Sequence, residues 1–192
     1  MSDYHLFRWA NDLAARHDGF EDGLKVYAQI SEILFALSLV ALFLFFGPRL
    51  RRAAVAAGLS AGLALLVAHF LAAAVDRSRP FVDHPLAHNF LSHATDPGFP
   101  SDHATGAFAV AFALVLRDRV VGGIALVFAL ILSFGRVALG AHYPSDVFAG
   151  AILGLAGALV LWIPALRERV DRLADALGNR LPVTTSAVRR SS

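Results

Sequence analysis

Three short stretches hold most of the residues able to do chemistry: DRSRPF at 76–81, PSDH at 100–103 and GRVALGAHYPSD at 135–146. Together they carry Arg77, Arg79, Arg136, His103, His142, Ser101 and several carboxylates, among them Asp102 and Asp146. A guanidinium is a planar fork of donors that matches phosphate oxygens. A helix start adds unpaired N–H groups and partial positive charge. If Ser101 caps a helix, Asp102, His103 and Ala104 form its first turn, and their N–H groups face an anion just outside it. Arg79 and Arg136 then close over that anion from neighbouring segments, which makes a phosphate site without a metal.

His142 stands four residues before Asp146, with Pro144 between them. Proline favours the first helical position, so a helix is predicted from Pro144, with Asp146 in its first turn and His142 just outside. A carboxylate bonded to one ring nitrogen fixes the tautomer and leaves the other free as a nucleophile. Asp146 is expected to do this for His142. His103, from a different helix, is placed to protonate the departing oxygen as general acid. Each feature also has an ordinary reading: a helix cap for PSDH, a structural hydrogen bond for His142–Asp146, snorkelling for arginines at span ends. Their gathering on one predicted membrane face, the one with fewer cations, sets them apart.

These residues must be positioned by membrane helices. Of 192 residues 57% are hydrophobic, and the mean hydropathy is +0.60. A helix crosses a bilayer with roughly 17–25 apolar residues. Apolar runs at about 28–46, 54–75, 102–117, 120–138 and 144–165 predict five spans. The stretch MSDYHLFRWANDLAARHDGFED shows no leading apolar core and no small-residue cleavage site, so the first span is expected to be retained. With no Cys there is no disulfide, thiol nucleophile or thiolate metal site.

Seventeen residues are basic, all but Lys25 of them Arg. If the spans alternate, eleven lie on one side, at positions 49–52, 117–119 and 167–190. Arg8, Arg16, Lys25, Arg77, Arg79 and Arg136 lie on the other. The crowded side is assigned to the cytoplasm, which puts the N-terminus, 76–101 and 136–143 outside.

Residues 3–17 read as a surface helix with Leu6, Trp9, Leu13 and Ala14 on one stripe, either interfacial or packed on the bundle. Residues 166–179 repeat the pattern with Leu166, Val170, Leu173 and Leu177. The stretch PVTTSAVRRSS reads as a disordered basic tail. The predicted fold is all-α: an integral membrane helical bundle of about five transmembrane helices with N- and C-terminal amphipathic helices. It forms a single domain over 1–192, with an interfacial segment at 1–27, a catalytic bundle at 28–165 and a cytoplasmic helix and tail at 166–192.

Taken together the three motifs resemble the type 2 phosphatidic acid phosphatase superfamily. That family has Lys, six residues, Arg–Pro; then Pro–Ser–Gly–His; then Ser–Arg, five residues, His, three residues, Asp. Here Arg79–Pro80, Pro100–Ser101–Asp102–His103, and Arg136, His142 and Asp146 keep the pattern over about residues 28–165. The resemblance implies His142 as nucleophile, Asp146 as its partner, His103 as acid, and Arg79, Ser101 and Arg136 as phosphate ligands. Three positions depart from it. Ala72 stands where the family has Lys, with Arg77 a candidate substitute or a structural residue. Asp102 replaces Gly at the phosphate-binding turn, and Gly135 replaces Ser. The Pro–Ser–Asp–His variant is similar to bacterial undecaprenyl-diphosphate phosphatases of the bacitracin-resistance type.

The third span holds 16 residues, about 24 Å of helix, less than the roughly 30 Å hydrocarbon thickness. A site at its start meets lipid headgroups. This favours a lipid phosphate over a soluble one. The resemblance implies undecaprenyl diphosphate as that substrate, its terminal phosphate removed through a phosphohistidine at the outer face of the plasma membrane to recycle the carrier lipid for wall synthesis. A broader lipid phosphatase, or a non-catalytic lipid-phosphate binder or transporter, are the competing readings. Neither cofactor nor metal is expected, nor a nucleic-acid partner. The loop residues His84, His88 and His93 read as polar surface rather than a metal cluster. His69, inside the second span, reads as a neutral side chain bonded to a neighbouring helix. Glu32 reads either as part of a lipid entrance or as a side chain reaching the interface.

Overall fold

The structure, a computed structural model, describes residues 2–91 and 96–181. Among them every regular element is an α-helix: α1 (Asp3–Ala15), α2 (Asp18–Phe45), α3 (Pro48–Val75), the single turn α4 (Pro80–Asp83), α5 (Asp102–Val115), α6 (Arg119–Ala138), α7 (Pro144–Trp162) and α8 (Pro164–Asn179). His93 and the tail from 182 onward lie outside the described residues.

Local chemistry sets these boundaries. Asp118 caps α6 by accepting the N–H groups of Val120 and Val121, and Ser101 caps α5 by accepting that of Ala104. Pro48, Pro144 and Pro164 open α3, α7 and α8, where the missing N–H costs nothing. The first predicted span is longer than expected. Helix α2 starts at Asp18, because the polar stretch around Glu21 and Lys25 continues the helical run beyond the apolar segment.

Among the described residues four helices, α2, α3, α6 and α7, are long and apolar enough to cross a membrane. Helix α5 is shorter, at 14 residues, and sits at the centre of the bundle with α3, α6 and α7 packed around it. Small residues allow the approach. A Cβ on Gly154 of α7 would stand 2.6 Å from the Ala109 nitrogen, and one on Gly150 would stand 2.9 Å from the Ser101 carbonyl oxygen. Large apolar side chains such as Leu37, Phe70, Phe128 and Phe148 point outward and are exposed, as lipid-facing residues must be. The chain is thus a multi-pass membrane helical bundle.

Both amphipathic helices are present, and each buries one member of its predicted stripe, Ala14 and Val170, while the buried face is rotated away from the others. Helix α1 buries Phe7, Ala10, Asn11 and Ala14, while Leu6 and Trp9 are exposed. The difference comes from Asn11, a polar residue whose side chain reaches into the bundle and bonds the carbonyls of His88 and Ala138. Helix α8 buries Val170, Ala174 and Gly178, and leaves Leu173 and Leu177 outside. Ion pairs decide that rotation: Arg117–Asp171 and Arg52–Asp175, each 2.6 Å, tie α8 beneath α5 and α3.

Candidate active site

The three motifs meet at one end of the bundle. Each arrives by its own local device. Arg79 precedes the turn α4, in the loop that leaves α3 through Asp76. Ser101 and His103 stand at the start of α5. Arg136 lies in the last turn of α6, and a tight turn then reverses the chain, with the N–H groups of Ala141 and His142 both reaching the Arg136 carbonyl. Gly140 makes that turn possible. Its φ is +88°, and a Cβ there would collide with the His88 carbonyl.

The imidazole of His142 is the centre of the site and is 2% exposed. Its Nδ1 lies 2.8 Å from the Gly98 carbonyl oxygen. A carbonyl only accepts, so Nδ1 carries the proton and Nε2 keeps its lone pair. Two guanidiniums converge on that Nε2: Arg79 Nη1 at 3.3 Å and Arg136 Nη2 at 3.4 Å. Burial first, then the Arg136 and Arg79 charges, hold the His142 pKa well below its ordinary value. The ring is therefore neutral, with a nucleophilic nitrogen facing two cations.

Arg79 is fixed by the loop around it. Its Nε donates to the Asp96 carbonyl, its Nη2 pairs with the Asp96 carboxylate at 2.8 Å, and its Nη1 also reaches the Ala141 carbonyl. Ser101 is fully buried, and its N–H bonds the Asp146 carbonyl, which stitches the start of α5 to the start of α7.

Two expectations change. Asp146 was expected to orient the His142 ring, yet its Oδ2 is 3.9 Å from Nδ1. That oxygen accepts the Tyr143 N–H at 2.8 Å, capping α7, and Oδ1 pairs with Arg77 at 2.7 Å. A first-turn carboxylate is closer to its own helix's N–H groups than to a side chain outside them, so capping prevails. Arg77 likewise turns away from the cluster around His142. It reaches Ser145, Asp146 and Asp3 and lies 4.3 Å from the Tyr143 ring centre, so it braces the start of α7 against α1. Asp3 accepts both the N–H and the hydroxyl of Ser145. Burial alone would raise the Asp3 pKa, but the bonds from Ser145 and Arg77 outweigh it and lower it.

Asp102 and His103 face a separate space, a cavity of about 580 Å³ between α2, α3 and α5, whose polar end holds Glu32, His69, Asp102 and His103. Phe35, Leu39, Ala61, Leu65 and Val110 line its apolar length. His69 is exposed there and packs edge-on against Phe70. His84 stacks on Tyr4 and His88 on Phe90. Among the described residues no group of three His, Cys, Asp or Glu side chains could hold a metal ion, and His93 lies outside them. Sequence reasoning missed Gly98, Asp96, Asp3 and Ser145. No motif marks a carbonyl acceptor or a partner more than a hundred residues away.

The sequence profile of the PAP2 superfamily matches residues 53–168. The chain belongs to the PAP2 superfamily. PAP2 proteins similar to it include undecaprenyl-diphosphatase BcrC of Bacillus subtilis (strain 168), 30% identical over 184 residues, which are 93% of this chain and 94% of that one. Decaprenylphosphoryl-5-phosphoribose phosphatase of Mycobacterium tuberculosis is 36% identical over 127 residues, covering 65% and 69% of the two chains. Among PAP2 folds solved by crystallography, Aquifex aeolicus LpxE superposes with a TM-score of 0.64 at 26% identity, over 82% of this chain and 92% of that one. The protein is thus a membrane-embedded phosphatase of the PAP2 type.

Proposed function

We propose that the chain removes the terminal phosphate of a polyprenyl diphosphate, undecaprenyl diphosphate first among them, at the outer face of the plasma membrane. Such a reaction recycles the carrier lipid of peptidoglycan synthesis, and a surplus of it confers bacitracin resistance. The observation that carries the reading is the convergence of Arg79 and Arg136 on Nε2 of His142. A phosphoryl group bound between the two guanidiniums presents its phosphorus to that nitrogen. Ser101 and the first-turn N–H groups of Asp102 and His103 complete the cradle.

In the first step Nε2 bonds to phosphorus and the bridging P–O bond breaks. The leaving oxygen departs as a phosphate, protonated as needed by His103. The phosphohistidine is then hydrolysed by water, whose proton returns to His103. The guanidiniums supply the positive charge that stabilises the transition state. We take residues 28–165 as the catalytic bundle and the Arg-poor side as external.

A second reading, a broader lipid phosphatase, is favoured by the M. tuberculosis relative, whose name records a different prenyl-linked phosphate. Purified protein in EDTA, given undecaprenyl diphosphate, undecaprenyl phosphate and phosphatidic acid, separates the two. Preference for the diphosphate with complete loss in His142→Ala supports the first reading. Equal turnover of all three supports the second. Phosphate release undiminished in His142→Ala sinks both.

A further inference from the structure

Asn11 is 2% exposed, on the face of α1 that turns into the bundle. A side-chain amide offers two N–H donors and an acceptor oxygen, and here both ends are used. Its Nδ2 donates to the carbonyls of His88 at 2.8 Å and Ala138 at 2.9 Å, and its Oδ1 accepts the His88 N–H at 2.9 Å. The side chain thus clasps two pieces of main chain that are far apart in the sequence.

Both pieces lead to the nucleophile. Ala138 ends α6, and the turn that follows carries His142. His88 lies in the loop between α4 and α5, as does Gly98, the acceptor of the His142 Nδ1 proton. Between these points the Phe90 N–H bonds the Leu139 carbonyl at 3.2 Å, and the His88 carbonyl presses on Gly140 so closely that a Cβ would collide with it. Asn11 closes one end of this seam, and the His142–Gly98 bond closes the other. Asp3 and Phe7 share the Asn11 face of α1, each about one helical turn from the next. Asp3 accepts the Ser145 N–H at 3.0 Å, and the Phe7 ring lies edge-on to Tyr143 with centres 5.7 Å apart. Helix α1 therefore grips the chain on both sides of His142.

From this geometry we infer that Asn11 is a positioning residue of the nucleophile: it fixes the turn from Ala138 to His142 against the loop before α5, and so holds Nε2 in line with the phosphorus. The inference rests on the role given to His142 above. Asn11 acts through the main chain of Ala138 and His88. The phosphate ligands have supports of their own. Arg136 belongs to α6 itself, and Arg79 is held twice by Asp96 besides its bond to the Ala141 carbonyl. Loss of the clasp displaces the nitrogen and leaves the anion cradle in place.

Two oxyanions read these parts separately. Inorganic phosphate needs only the cradle. Orthovanadate takes on a fifth ligand and so, like the transition state, needs the nitrogen in line. The test measures turnover of undecaprenyl diphosphate and its inhibition by each oxyanion, using the full chain in detergent free of chelators, which bind vanadate. The variants are Asn11→Leu, Asn11→Asp, which loses both donors, the milder Asn11→Ser, His142→Ala, and Leu42→Ala, which opens the core at the opposite end of the bundle. In Asn11→Leu and Asn11→Asp kcat per folded molecule should fall about tenfold to a hundredfold. KM and phosphate inhibition should change by less than about threefold, while vanadate inhibition weakens by about the same factor as kcat. Asn11→Ser should show the same pattern at smaller size, and it carries the comparison if the other two fail to fold. Leu42→Ala should lower the thermal midpoint and leave kcat and the ratio of the two inhibitions unchanged.

Phosphate and vanadate inhibition weakening together in the Asn11 variants would overturn the inference, by giving Asn11 a general structural role. An unchanged kcat in all three, or the same selective loss in Leu42→Ala, would overturn it as well. Full turnover in His142→Ala would remove the nucleophile itself, and the inference with it.

Discussion

Nδ1 of His142 is held at 2.8 Å by the carbonyl of Gly98, a residue forty-four positions earlier in the chain. A main-chain acceptor thereby does what a catalytic carboxylate is usually asked to do. The carboxylate that was expected there, Asp146, serves its own helix instead. This division of labour separates catalysis from stability, and the two can be measured apart.

Asp146→Ala should lower stability more than His142→Ala does. It leaves the Tyr143 N–H without its acceptor and strips Arg77 of one partner. Removing one member of a buried, bonded ion pair costs about 3–5 kcal/mol, discounted here because Arg77 is about a third exposed. The thermal midpoint in detergent should fall clearly in Asp146→Ala and little in His142→Ala. The reverse order would show that Asp146 acts on the ring.

Arg79 and Arg136 should govern phosphate affinity, and Arg77 should not. A charge-assisted hydrogen bond contributes about 1.5–3 kcal/mol. Arg79→Ala or Arg136→Ala should therefore weaken competitive inhibition by inorganic phosphate roughly tenfold to a hundredfold. Arg77→Gln should alter that inhibition by less than about threefold while lowering the thermal midpoint. Parallel losses of inhibition in all three would return Arg77 to the phosphate site.

The pH dependence follows from His142. Its pKa is depressed in the folded state by burial and by Arg136 and Arg79, against an ordinary value of 6.5. Below that value the unfolded chain takes up a proton that the folded chain refuses, so stability falls as the pH drops. Asp3, whose pKa is lowered by Ser145 and Arg77, has the same sign in a lower window and loses its contribution as the pH falls below 3.8. Denaturation midpoints taken from pH 7 downward should decline, and His142→Gln should flatten the upper part of that slope. An unchanged slope would mean that the ring is not buried neutral.

Helix contact should be sensitive at α7. Gly154→Ala forces a Cβ to 2.6 Å from the Ala109 nitrogen, and the α5 backbone must move. Overpacking of this kind costs about 1–3 kcal/mol. Since α5 carries Ser101 and His103, kcat should fall with stability. Gly62→Ala, where a Cβ would meet nothing within 4 Å beyond its own helix backbone, is the control: kcat should hold and stability should hold or rise by up to about 1 kcal/mol.

The reach of the sequence is clear from particular residues. The Ser101 cap, the Pro144 start and the meeting of Arg79, Arg136 and His142 were all legible, because caps, proline and fixed spacings act locally. The bracing by Asp3 and Arg77 and the buried face of α1 were not. They depend on which of several polar groups wins a partner far away in the chain, and that contest is decided only once the helices have packed. Asn11 shows why: nothing about its neighbours announces that it will bond the carbonyls of His88 and Ala138.

The cavity between α2, α3 and α5 has a bearing on how the protein meets its substrate. It runs from His103 along apolar side chains to Val110, beside a helix whose flanks already face hydrocarbon. A long tail can slide in sideways without leaving the bilayer. The quantity that sets the rate of encounter is then the mole fraction of substrate among surrounding amphiphiles, so that adding inert detergent at fixed total substrate slows turnover by dilution in two dimensions.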